Sequence, residues 1–111
     1  MPESVPIKIG EYSFTFVRLA ETDFTDVAAV YVVICVLGEK GNYGVIDVGQ
    51  TGEVGTRINS HEREECWKRE CSTGNIWVCV HTMPSVRYTK DDRLHLERDL
   101  RERYKHKCGE K

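Results

Sequence analysis

Long apolar stretches are missing from this chain of 111 residues. The longest, Val27 to Leu37, is eleven residues, where a bilayer-spanning helix needs about twenty. A secretory leader is not visible either: Met1-Pro2-Glu3-Ser4 has no basic stretch followed by an apolar one. Both absences lead to the expectation of a soluble, cytoplasmic protein with no membrane partner. Net charge is small, −2 at neutral pH, which argues against gripping nucleic acid by bulk charge alone. Hydrophobic residues are 40% of the chain and charged residues 31%. That composition can build a core and fits neither a fibrous nor a disordered class. The length allows one domain, residues 1–111.

Zinc-knuckle spacing is lacking as well. Five cysteines stand at 35, 66, 71, 79 and 108. Four residues separate Cys66 from Cys71, wider than a typical knuckle, and no second ligand pair follows. An odd cysteine count without a leader points to free thiols in a reducing compartment. Cys35 and Cys79 sit in apolar, strand-like runs and behave there as small hydrophobes. No cysteine has the histidine and carboxylate context of a nucleophile.

What charge there is lies unevenly. Residues 1–56 carry −5 and residues 57–111 carry +3. A polyanion would meet the second half first, although helices rich in charge explain the same asymmetry.

Residues 1–10 read as a short tail. Tyr12 to Val17 alternates aromatic with small polar residues, a strand pattern. Val27 to Leu37 is rich in β-branched residues and nearly all apolar, which suits a central strand buried on both faces. Tyr43 to Val48 follows a Gly-Glu-Lys-Gly-Asn turn and completes an antiparallel hairpin. A helix is expected from about 53 to 70, with Val54, Ile58 and Trp67 on a narrow apolar stripe. Ile76 to Val80 is a further strand. Residues 89–106 form a second helix with Thr89 as N-cap, Asp91 and Asp92 in the first turn, and Leu96, Leu100 and Tyr104 buried. The expected class is a small α/β domain of the α+β type. A mostly antiparallel sheet of three or four strands is flanked by helices in the order β-β-β-α-β-α. Residues 1–26 form an N-terminal extension with one strand, and 27–109 form the core.

Arg57 and His61 stand four apart and share one helical face. An arginine there can fork onto a phosphate, and a histidine one turn later can move a proton near neutral pH. Their bland alternative is a solvated face, since Glu62, Arg63, Glu64, Glu65, Lys68, Arg69 and Glu70 follow. Glu97 lies between Arg93 and Arg101, where a surface ion pair explains it equally well. Tyr31 is a lone hydroxyl in an apolar strand.

Taken in order, Ala29-Val30-Tyr31, Asp47-Val48-Gly49-Gln50-Thr51, Arg57, His61 and Glu97 resemble the GIY-YIG nuclease superfamily. The segment Tyr104-Lys105-His106-Lys107-Cys108-Gly109 stands where that family often has a Tyr-x-Pro-x-Cys-Asn-like ending. The resemblance covers about residues 28–109. It departs at three positions: Ala29 for a glycine, Asp47 for the tyrosine of the second triplet, and Gly109 for asparagine.

The resemblance implies a metal-dependent endonuclease hydrolysing DNA phosphodiester bonds. Its catalytic set would be Tyr31, Asp47, Arg57, His61 and Glu97. Glu97 would hold one Mg²⁺ or Mn²⁺, Arg57 would clamp the scissile phosphate, and Tyr31, His61 or both would activate water. Asp47 would serve as a base, as a second metal ligand, or as a charge that silences the site. The alternative is a catalytically degenerate member that binds nucleic acid or a protein partner. Gln50, Arg57, Lys68 and Arg101 are the nucleic-acid contacts expected. Arg63, Arg69, Arg98, Arg103, Lys105 and Lys107 widen the basic surface. Trp67 and Trp77 fit core packing better than base stacking. Double-strand cutting by so small a domain would need a homodimer or two visits.

Overall fold

The computed structural model describes residues 5–9, 12–19, 25–38, 42–59, 63–104 and 108. His61, Lys105, Lys107 and Gly109 lie outside the described residues. Five strands, β1 (Val5–Ile9), β2 (Tyr12–Arg18), β3 (Ala29–Val36), β4 (Tyr43–Thr51) and β5 (Ile76–Thr82), form one sheet. Among the described residues there are three helices, α1 (Val54–Asn59), α2 (Glu64–Glu70) and α3 (Lys90–Arg103). The sheet order is β1-β2-β5-β3-β4 and the pairings are antiparallel. The α+β class is therefore as expected. The sheet has five strands rather than three or four, because residues 5–9 of the expected tail pair with β2. The single helix expected over 53–70 is two helices.

The run of β-branched residues in β3 dictates its place. A strand with no polar face has to lie between two other strands and under two layers. β3 sits between β5 and β4, and Ala29 through Cys35 are buried. On one face Tyr31, Val33, Val78 and Val80 pack against Val54 and Ile58 of α1 and Trp67 of α2. On the other, Val30, Val32, Ile34, Val48 and Cys79 pack against Leu96 and Leu100 of α3. The result is a helix–sheet–helix sandwich.

Helix ends follow the capping rules. Thr89 accepts from the Asp92 N–H at 3.2 Å while the Asp92 carboxylate accepts from the Thr89 N–H at 2.8 Å, a reciprocal capping box. At α1, Asp26 supplies the cap from a distance. Its carboxylate accepts from the Thr56 N–H at 2.6 Å and from the Thr56 hydroxyl at 2.7 Å, which lowers its pKa. This pins α1 to the entry of β3.

The cysteines correct the expectation of free thiols. Cys35 is joined to Cys71 and Cys66 to Cys108. Cys66 lies within α2 and Cys71 is its C-cap, so α2 is stapled at two points. Cys79 remains a thiol, fully buried, with burial pushing its pKa up to about 12. A maleimide or iodoacetamide reagent should leave the native protein unmodified and add one group after denaturation without reductant. Rapid labelling of the native protein would show that one of the disulfides does not form. No described helix is long and apolar enough to cross a membrane.

Candidate functional site

A bulge in the β3–β4 hairpin sets the site. Tyr31 pairs with Gly49 and Val33 with Asp47, but Ile34 pairs with Val45, so Ile46 is an extra residue in β4. Ile46 and Asp47 therefore both turn toward the face that carries Tyr31, α1 and α2. Gly49 is required by the tyrosine opposite it. A β-carbon at 49 would overlap the Cζ and hydroxyl of Tyr31, so the ring lies across the bare backbone.

Asp47 is fully buried. Its Oδ2 accepts from the Trp67 indole N–H at 2.7 Å and lies 3.0 Å from Arg63 Nε as an ion pair. Its Oδ1 accepts from the Val48 N–H at 2.8 Å, with Arg101 Nη2 at 3.7 Å. Burial pushes the carboxyl's pKa up. The Trp67 hydrogen bond, Arg63, the Val48 N–H and Arg101 pull it back. Burial is the largest of these influences, and the pKa lies above the ordinary carboxylate value.

Tyr31 is fully buried too, and its hydroxyl is the meeting point of two guanidinium groups. Arg63 Nη2 donates to it at 3.4 Å, and Arg57 of α1 also hydrogen-bonds to it. Burial raises the pKa of Tyr31 above its ordinary value, opposed by the Arg63 and Arg57 charges. Glu97, half-buried on α3, accepts from the Gln50 N–H, and burial raises its pKa while Arg101 and Arg63 lower it. Arg101 Nη2 donates to the Val48 carbonyl at 2.6 Å and Arg93 Nε to the Gln50 side-chain Oε1 at 3.1 Å. The Cys108 N–H donates to the Ile46 carbonyl at 2.9 Å. Glu97, Arg101 and Cys108 thus satisfy alternate residues along the outer edge of β4.

Of the residues singled out in the sequence, Tyr31, Asp47, Gln50, Arg57, Glu97 and Arg101 converge on this one region from four elements. Lys68 does not. It is exposed, pairs with Glu64 at 3.3 Å, and lines a separate depression of about 410 Å³ with Arg18, Leu19 and Ile76. Trp67 is core, as expected, with its indole N–H turned onto Asp47. Trp77 stacks on Phe16 with centroids 4.2 Å apart.

Three members of the cluster carry more than the sequence suggested. Arg63 was one basic surface residue among many, Trp67 a core side chain, and Arg93 an ion-pair partner of Glu97. For Arg63, a six-residue step from Arg57 in one continuous helix is a turn of about 240°, which would send the two guanidinium groups apart. α1 and α2 are separate helices, and both guanidinium groups meet at Tyr31. Comparison of the chain with family models, with curated proteins and with solved structures finds no match.

The cluster's charge has a sign. Among the described residues Arg57, Arg63, Arg93 and Arg101 outnumber Asp47 and Glu97 by two, and two of the guanidinium groups share one phenol oxygen. Such crowding of like charges favours an incoming anion, and planar guanidinium groups match phosphate.

Proposed function

We propose that this chain is a phosphodiester hydrolase acting on DNA, assisted by one divalent cation. The observation that carries the reading is that Tyr31, hydrogen-bonded to Arg57, and Glu97, distant in sequence, both lie within electrostatic reach of Arg63 and Asp47. Arg57, half-buried, would present its guanidinium to the scissile phosphate and stabilise charge that develops there. Tyr31 keeps its proton at neutral pH under burial and fixes two arginines through its oxygen. Asp47 is neither exposed to water nor open to a ligand. It anchors Arg63 and Arg101 from beneath. In this reading its charge is offset by those partners.

Among the described residues no group of three or more histidine, cysteine or acidic side chains is placed to hold a metal. Glu97 alone has a half-buried carboxylate in the cluster besides the engaged Asp47, which suits Mg²⁺ or Mn²⁺ held by one carboxylate and water. Glu97 would hold the ion, which when bound supplies charge neutralisation at the leaving oxygen.

One observation favours the second reading, a binding module that does not cut: Tyr31 exposes none of its surface. Both disulfides also speak for an oxidising compartment rather than the cytoplasm.

The test is cleavage of supercoiled, branched and single-stranded DNA with Mg²⁺, Mn²⁺ or EDTA, beside Glu97→Ala and Arg57→Ala proteins. Metal-dependent nicking that falls about a hundredfold or more in either variant is the expected result. Binding without cutting on every substrate would transfer the conclusion to the second reading.

A further inference from the structure

We propose that a depression on the α3 face of the sheet binds a free aromatic amino acid, with the ring inward and the zwitterionic head at the rim. The depression has a volume of about 410 Å³, within the range of about 300–1,000 Å³ usual for small-molecule sites. Its polarity is layered. Met83 and Leu96 line it and are buried. Tyr12 of β2 and Tyr88, just before α3, line it as half-buried phenols. Arg87 and Asp92 line it and are exposed. Met83 and Leu96 belong to the core cluster of the α3 face, whereas Tyr31 and Trp67 belong to the cluster on the other face. The site therefore stands apart from the one read as a phosphodiester hydrolase and does not depend on that reading.

Opposite charges on one small cavity ordinarily pair, yet the ion pairs among the described residues include none between Arg87 and Asp92. Asp92 is held in place by its capping box: Oδ2 accepts from the Thr89 N–H at 2.8 Å. That leaves its remaining lone pairs for a ligand. An arginine only donates and a carboxylate only accepts, so one ligand satisfies both by carrying an anion and a cation close together. An α-amino acid has its carboxylate and ammonium on a single carbon. The carboxylate takes the fork of Arg87, and the ammonium goes to Asp92. A phosphate ester would suit Arg87 but be repelled by Asp92, and a polyamine the reverse. Below the head, the side chain enters the apolar floor between two phenol rings. An aromatic ring gains there from edge-on or offset contact with Tyr12 and Tyr88 and from the Met83 sulfur. An aliphatic side chain would gain buried area alone.

The closing experiment titrates isotope-labelled protein with L-phenylalanine and follows the amide spectrum, which also reports folding. Saturable shifts are expected at Arg87, Tyr88, Asp92 and Leu96, with the Trp67 indole N–H on the other face unmoved. 3-Phenylpropionate lacks the ammonium and 2-phenylethylamine lacks the carboxylate. Each should bind about three- to fivefold more weakly, the scale of one exposed ion pair. L-Alanine, which lacks the ring, should not saturate. Arg87→Gln should weaken L-phenylalanine and 3-phenylpropionate alike and leave 2-phenylethylamine unchanged. Asp92→Asn, whose amide oxygen can still accept from the Thr89 N–H, should show the reverse pattern. Absence of saturable shifts around the depression would overturn the proposal. So would equal binding of the three phenyl ligands, or unchanged L-phenylalanine affinity in both folded variants.

Discussion

Reduction of the two disulfides should remove most of the protein's resistance to denaturant. The bridges close segments of 36 and 42 residues. On the chain-entropy account each restricts the unfolded chain by about 4 kcal/mol. The loops overlap, so the joint effect is smaller than twice that, but a domain of this size has only about 5–15 kcal/mol in all. The effect should be local as well as global. A seven-residue helix such as α2 is too short to hold itself. It is kept by Trp67 in the core, by Cys66 bound to Cys108, and by Cys71 bound to Cys35. Releasing it frees Arg63 and Trp67 from Asp47. The measurement is a guanidinium unfolding curve with and without a dithiol reductant, repeated on a Cys66→Ser/Cys108→Ser protein. The midpoint should drop by the equivalent of several kcal/mol, with duplex affinity falling in parallel. A midpoint unchanged by reductant would mean that the thiols are not paired in solution.

What was legible in the sequence follows from how local each signal is. β3 announced itself because eight residues in a row, all β-branched or small and apolar except Tyr31, leave a strand no solvent face. Thr89 and Asp92 are three apart, so the capping box of α3 needs only neighbours. β1 was missed because Val-Pro-Ile-Lys-Ile is short and contains proline. Its place is an edge, where proline costs least, and only pairing with β2 makes it a strand. The break between α1 and α2 was readable. Ile58 and Trp67 are nine apart, about half a turn out of phase in one helix, yet both belong to one core cluster. The disulfide partners lie too far apart in sequence for spacing to pair them. In the candidate site, Tyr31, Arg57 and Glu97 were singled out through an ordered motif. The partnership of Asp47 with Trp67, Arg63 and Arg101 was not, because it depends on a bulge and on the edge position of β4.

That partnership makes position 47 the most sensitive polar site among the described residues. Asp47→Ala should destabilise the protein by about 3–5 kcal/mol, the usual cost of breaking a buried ion pair by removing one member. Four groups lose an acceptor together: the buried Trp67 N–H, the Val48 N–H, Arg63 and Arg101. The arginines retain 21% and 18% of their side-chain exposure, so water can take back part of each. The indole cannot be rehydrated, and an unsatisfied buried N–H alone costs about 1–3 kcal/mol. A surface carboxylate would behave otherwise, since exposed pairs contribute about 0–1 kcal/mol. A double-mutant cycle separates the components. If the cost comes from stranded charge, Arg63→Met should restore part of the stability lost in Asp47→Ala while destabilising the wild type. Equal additive losses in the denaturation curves of both single variants and the double would show that Asp47 and Arg63 do not sense each other.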